Sequence, residues 1–214
     1  MKSIAPYLFA FVVCAFLFSF VLIDTPIQSV KIGEQEWMAE NLDVATFRNG
    51  DVIPEAKTSF EWEKAGNDSS PAWCYYNNDS VSGKKYGKLY NWYACVDPRG
   101  IAPVGWHVAT LDEWETAIDF LGGKKVAGDK MKSKTGWEKD GGGNDSLHFN
   151  IVPGGYRSKD GFFGSDGHIA FFWTRTQAEV LPLYTAFGYS GGMVLIGQDQ
   201  PISGFSCRCI KNTK

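Results

Sequence analysis

Apolar and polar positions along this chain fall into patterns that predict most of its elements. An uncharged apolar run extends from Ile4 to Ile23 and carries Phe9, Val12, Phe16, Phe18, Val21 and Leu22. About twenty residues at helical rise span roughly 30 Å, the hydrocarbon thickness of a bilayer. Lys2 puts the positive end first and Asp24 follows the run. Residues 1–28 therefore read as an N-terminal apolar helix that exports what comes after it, as a signal peptide or as an uncleaved membrane anchor. No small-x-small cleavage pattern follows, and Val13 before Cys14 lacks the small residue that lipidation requires.

Residues 29–214 form one domain with dense punctuation. Val30-Lys31-Ile32 predicts a strand, Gly33 a turn, and Glu36 to Leu42 a second strand or irregular segment. Phe60 to Ala65 predicts one or two helical turns, and Trp73 to Tyr76 a strand. Leu89, Trp92, Tyr93 and Val96 share a face at i, i+3, i+4 and i+7, so the spacing predicts a helix over 88–96. The clearest element starts at Thr110. Thr110 and Glu113 form a capping box, and Leu111, Trp114, Ile118 and Leu121 then repeat at helical spacing up to the stop at Gly122-Gly123. Beyond it, strands are predicted at 149–152, 155–157, 171–176, 184–189, 193–196 and 205–210, with a hairpin turn at Ser190-Gly191-Gly192. The class is α+β: two short helices, antiparallel strands and long ordered loops.

Composition supports one domain able to bury a core: 214 residues, 44% hydrophobic, with 15% aromatic residues and 24 glycines. The net charge of −3 supplies no basic field for phosphates, so nucleic acid is excluded as an expected partner. Of the five cysteines, Cys14 lies in the apolar run. The other four, Cys74, Cys95, Cys207 and Cys209, are an even number outside the cytoplasm and read as disulfides. Cys207 and Cys209 project from one strand face and would close a strained ring, so each is expected to pair with Cys74 or Cys95. His107, His148 and His168 are the only histidines and none pairs at i+4, which leaves zinc unsupported. Asp140, Asn144 and Asp145, in a Gly-rich loop, offer hard oxygen ligands, so calcium is the metal this chain would take there. Tyr156, Arg157, Phe162, Phe163, His168, Trp173 and Arg175 fall between the second helix and the last strands. Aromatic faces and an Arg fork suit a glycan or peptide ligand. Tyr and Trp in such segments also serve as core residues.

Several long motifs carry a resemblance. Ile32-Gly33-Glu34-Gln35-Glu36-Trp37-Met38-Ala39-Glu40-Asn41-Leu42, Trp73-Cys74-Tyr75-Tyr76-Asn77-Asn78-Asp79 and Tyr86-Gly87-Lys88-Leu89-Tyr90-Asn91-Trp92-Tyr93-Ala94 resemble the Fibrobacter succinogenes major paralogous domain family. Gly105-Trp106-His107-Val108, Pro153-Gly154-Gly155-Tyr156-Arg157 and Phe205-Ser206-Cys207-Arg208-Cys209 match it as well, in order, over about residues 30 to 211. The resemblance implies secreted or surface proteins of bacteria with no established enzyme activity. A second one is shorter: Gly105 to Glu115 is similar to the loop-into-helix segment of C-type lectin-like domains and formylglycine-generating enzymes. It implies a compact lectin-like fold whose termini meet, and a first helix tied to the last strand. The disulfides so implied are Cys74–Cys209 and Cys95–Cys207. The sugar-binding motif of calcium-dependent lectins is absent. The cysteine pair that formylglycine-generating enzymes carry near their end has no counterpart at that spacing. The expected function is an exported, non-catalytic cell-envelope or secreted module that binds a glycan or a surface protein. The alternative is an enzyme of the formylglycine-generating-enzyme-like superfamily.

Overall fold

The computed structural model describes residues 26–213, so the apolar run 4–23 lies outside the described residues. Among these, no helix is long and apolar enough to cross a membrane. Strands β1 (Ser29–Ile32) and β2 (Gln35–Met38) pair antiparallel around Gly33, as the sequence predicts. Helix α1 (Ser59–Asn67) starts from a capping box in which the Thr58 hydroxyl accepts from Glu61 N and the Glu61 carboxylate accepts from Thr58 N. Strand β3 (Trp73–Cys74), a 3-10 turn (Tyr76–Asn78) and helix α2 (Ser80–Tyr86) follow, with Asp79 capping α2 through Val81 N and Ser82 N.

The helix expected over 88–96 is shorter than its apolar spacing suggests. Leu89 and Tyr90 form strand β4 (Leu89–Tyr90) against β3, and helix α3 (Trp92–Val96) begins only after Asn91. The reason is local: the Asn91 side-chain Oδ1 accepts from Ala94 N as an N-cap and from Ala72 N just before β3. Strand β5 (Trp106–Val108) leads into α4 (Leu111–Phe120), which forms the expected Thr110–Glu113 box and ends just before Gly122-Gly123. A five-residue helix α5 (Ala127–Met131) comes next. Then follow β6 (Gly154–Arg157), β7 (Phe163–Asp166), β8 (Ile169–Gln177), β9 (Pro182–Gly188), β10 (Val194–Gln198) and β11 (Cys209–Lys211). Of the expected strands, 149–152 and 205–206 shrink to isolated bridges, Ile151 with Lys132, Phe205 with Tyr90 and Ser206 with Phe172.

The class is α+β, with five α-helices among the described residues instead of the two expected. Strands pair in the orders β1-β2-β11-β5, β10-β9-β8-β6-β7 and β3-β4. Every pairing is antiparallel except β6 with β8. β11 joins the two ends of the domain, since Ile210 pairs with Trp37 on one side and with His107 on the other. The largest core cluster gathers around Trp114, whose ring centroid lies 4.8 Å from that of Trp37, 5.5 Å from Phe172 and 5.8 Å from Phe187. A second cluster holds Trp173, Phe205 and Tyr90, and a third packs Trp62 and Cys74 under α1.

Candidate functional site

Arg157 tethers the two segments that carry Phe60 and Phe162, the most exposed aromatic residues among the described residues. Strand alternation turns it away from Tyr156 and into the interior, where it is 1% exposed. Nη1 donates to Ala56 O at 2.5 Å and Nε to Gly161 O at 3.1 Å. The guanidinium lies 4.7 Å from the Trp62 ring centroid and 4.8 Å from that of Phe163. One buried fork thus ties the chain before α1 to the turn between β6 and β7. That turn is closed by Ser158 N donating to Phe162 O at 2.7 Å and Phe162 N donating to Ser158 Oγ at 3.1 Å. Gly161, at φ +81°, lies so close to α1 that a Cβ there would stand 2.5 Å from Ser59 Oγ. The residue after each partner of this contact is a phenylalanine: Phe60 is 74% exposed and Phe162 is 72% exposed.

The base beneath them is rigid. Phe163 packs edge-on against Tyr76 at 5.3 Å, and the Tyr76 hydroxyl donates to Asp166 Oδ1 at 2.7 Å. Burial, together with the Asp166 carboxylate, holds that phenol well above its ordinary range. Around the phenylalanines stand exposed Lys57, Glu63, Lys159 and Asp160. Two solvent-facing apolar rings on a fixed scaffold with a charged rim have the chemistry of a docking anchor.

The residues expected to bind ligand do not converge. Arg157 is a core tether. Trp173 is fully buried, its Nε1 donating to Tyr90 O at 3.0 Å and Ser203 O at 3.2 Å. Tyr156 is half-buried against Phe171 at 5.5 Å. His168 is exposed, edge-on to Tyr189 at 5.5 Å, with Nδ1 3.0 Å from Asp166 O. Arg175 is also exposed, but seven residues further along an extended strand, a separation of about 23 Å. Phe162 belongs to the surface described here. Phe60 was missed, although a signal existed. Phe60 and Trp62 sit at i and i+2 of a helix, positions that face different ways, so one aromatic ring had to point outward.

The Gly-rich loop is built inward. Cβ atoms on Gly141, Gly142 and Gly143 would stand 2.0, 2.4 and 2.4 Å from the backbone oxygens of Tyr189, Lys134 and Asp129. Buried Lys132 sends its ammonium to Gly141 O, Gly191 O and Gly188 O at 2.7, 2.9 and 3.1 Å. Asn144 Oδ1 accepts from Ser146 N, and Asp145 Oδ1 accepts from Asn150 N. Asp140 is exposed. The Lys132 ammonium thus ties the Gly-rich loop to the turn after β9. Among the described residues no three His, Cys, Asp or Glu side chains gather as metal ligands. His107 bridges Asn212 Oδ1 at 2.6 Å and Glu113 Oε1 at 2.8 Å, joining β5, α4 and the C-terminal segment.

Cys74, Cys95, Cys207 and Cys209 are buried free thiols in this structure. Cys95 Sγ lies 3.1 Å from Cys207 Sγ. Cys74 packs in the α1 cluster and Cys209 in the cluster of Trp173. Burial pushes the Cys74 thiol up to about 12.

The family model for the Fibrobacter succinogenes major domain matches residues 30–211. No curated protein and no solved structure matches the chain.

Proposed function

The chain belongs to the Fibrobacter succinogenes major domain family, and from that premise we propose that it is an exported, non-catalytic binding module of the cell envelope or the medium. Phe60 and Phe162 are its contact surface. The observation that carries this reading is their joint exposure beside a contact fixed by Arg157. The distribution of perturbed titratable groups supports it. An active site needs such groups converging in a pocket. Here the large displacements are scattered: Cys74, Tyr90, Cys207, Arg208 and Cys209 lie inside the core with burial as the first cause, Tyr76 is raised by burial and by Asp166, and surface Arg99 is raised by its hydrogen bonds to Asp97 and Asp51. The lowered carboxylates Glu36, Asp51 and Asp97 are held by surface Lys or Arg partners and hydrogen bonds.

A protein partner fits the surface better than a glycan. Phenylalanine supplies apolar area without the polar handle that Tyr and Trp bring to a sugar. Immobilised arrays of bacterial surface proteins, peptides and glycans, probed with the full chain with and without calcium, test the reading. A partner found this way should lose at least tenfold in affinity to the Phe60→Ala, Phe162→Ala double variant, as loss of an anchor requires. Binding that survives both truncations, or a glycan as the sole ligand, would sink the assignment.

A further inference from the structure

We propose that Cys95 and Cys207 form the one disulfide of this domain, closed by exchange with a small anionic disulfide that reaches Cys95 through an adjoining cleft, while Cys74 and Cys209 remain thiols. The two sulfurs are 3.1 Å apart, whereas a disulfide bond is about 2.05 Å long, so closure needs an approach of only about 1 Å. Both backbones are pinned where they stand. α3 is held by its Asn91 cap and by Trp92 N donating to Pro201 O at 2.8 Å. Cys207 O accepts from Leu42 N at 2.9 Å. Among the described residues this is the pair of sulfurs brought into contact, and it joins α3 to the segment entering β11.

Access is one-sided. Cys207 is wholly buried, whereas Cys95 lines a cleft of about 130 Å³ together with Arg48, Asp97, His107 and Arg175. The Asp97 carboxylate is gripped by Arg99 through Nε and Nη2, each at 2.9 Å. His107 is held by Glu113. Arg48, whose guanidinium donates to Ala102 O at 2.7 Å and Trp106 O at 2.9 Å, and Arg175 bring positive charge to the cleft, which favours an anionic reagent. The Cys95 thiolate attacks one sulfur of the incoming disulfide, forming a mixed disulfide and releasing one thiolate. Cys207, deprotonated in turn, attacks the Cys95 sulfur and expels the second. Two protein thiols are oxidised by two electrons, and the reagent leaves as two thiols. Cys74 and Cys209, each buried in a different cluster, have no such route.

The test uses the full chain, purified under reductant and then exposed to 3,3′-dithiodipropionate or to cystamine, reagents of similar size and opposite charge. Acid quench, alkylation in denaturant and peptide mass mapping read the outcome. Expected is one Cys95–Cys207 link, with Cys14, Cys74 and Cys209 alkylated and the anionic reagent faster at low salt. The melting temperature should rise by roughly 10 °C, from the loop-closure entropy of a bridge spanning about a hundred residues. Cys207→Ala should trap the reagent on Cys95, and Cys95→Ala should leave Cys207 unmodified. A Cys74–Cys209 link, five alkylated cysteines, a first adduct on Cys207 or a faster cationic reagent overturns the proposal. No readout involves a binding partner, so failure here leaves the docking surface untouched.

Discussion

At the scale of single residues, two arginines that look alike in the sequence have opposite roles. Arg157 follows Tyr156, Arg175 lies two positions after Trp173, and both were candidates for a ligand fork. The structure buries Arg157 beneath two rings and two carbonyls and leaves Arg175 in solvent. Local pattern cannot separate them, because the partners of Arg157 include Ala56 and Trp62, about a hundred positions earlier in the chain. Arg157→Ala leaves Ala56 O and Gly161 O without their donor and empties a core site. It should cost about 3 kcal/mol in urea unfolding, since two backbone carbonyls lose a charged donor. Arg175→Ala should fall within about 0.5 kcal/mol of the parent. Equal costs for the two variants would reject the tether.

Elements were legible where their period was long enough to repeat. α4 offered a capping box, four apolar positions at helical spacing and a Gly-Gly stop, and the structure forms all three. Its Trp114 is fully buried against Trp37, Phe149, Phe172 and Phe187. Trp114→Ala should therefore cost about 3–5 kcal/mol, and Thr110→Ala, which loses only the cap, about 1 kcal/mol. α2 and α5, at 7 and 5 residues, are too short to show a period, and tertiary contacts sustain them. The close packing of the Gly-rich loop was not legible in its own residues, because the backbone oxygens that leave no room for a Cβ at Gly141, Gly142 and Gly143 belong to Tyr189, Lys134 and Asp129. Its geometry depends on Lys132, which the sequence presents as one more surface charge. Lys132→Met should destabilise the domain by about 3 kcal/mol, since three backbone carbonyls lose a charged donor. Hydrogen exchange should then rise together at 140–145 and at the turn after β9. Protection lost in one segment alone would mean that the ammonium does not couple them.

For the molecule as a whole, the sequence supported fold class better than connectivity. An even cysteine count suggested disulfides but could not show which sulfurs meet, because that depends on where α3 docks. Export is an expectation of the N-terminal run: residues 1–28 fused to an enzyme active only outside the cytoplasm should give activity, and cytosolic retention would remove the exported assignment. The buried thiols give a prediction that requires no knowledge of compartment. Burial raises Cys74 to about 12 and also raises Cys207, Cys209 and the Tyr90 phenol. In the unfolded chain these groups ionise at about 8.5 to 10. Above that range the unfolded state binds fewer protons than the native state, so stability falls as pH rises. The contribution is intact below about 8.5, and that of Cys74 is lost progressively up to about 12. Arg208 works in the opposite sense, since burial lowers it and the unfolded state then binds the extra proton, but it is one group against four. The urea midpoint of the reduced protein should therefore drop between pH 8 and pH 10.5. The drop should be smaller in Cys74→Ala, and smaller again once Cys207 is held in a disulfide and no longer ionises. A midpoint that holds or rises over that interval would show that the thiols ionise in the native state and that their burial is not maintained in solution.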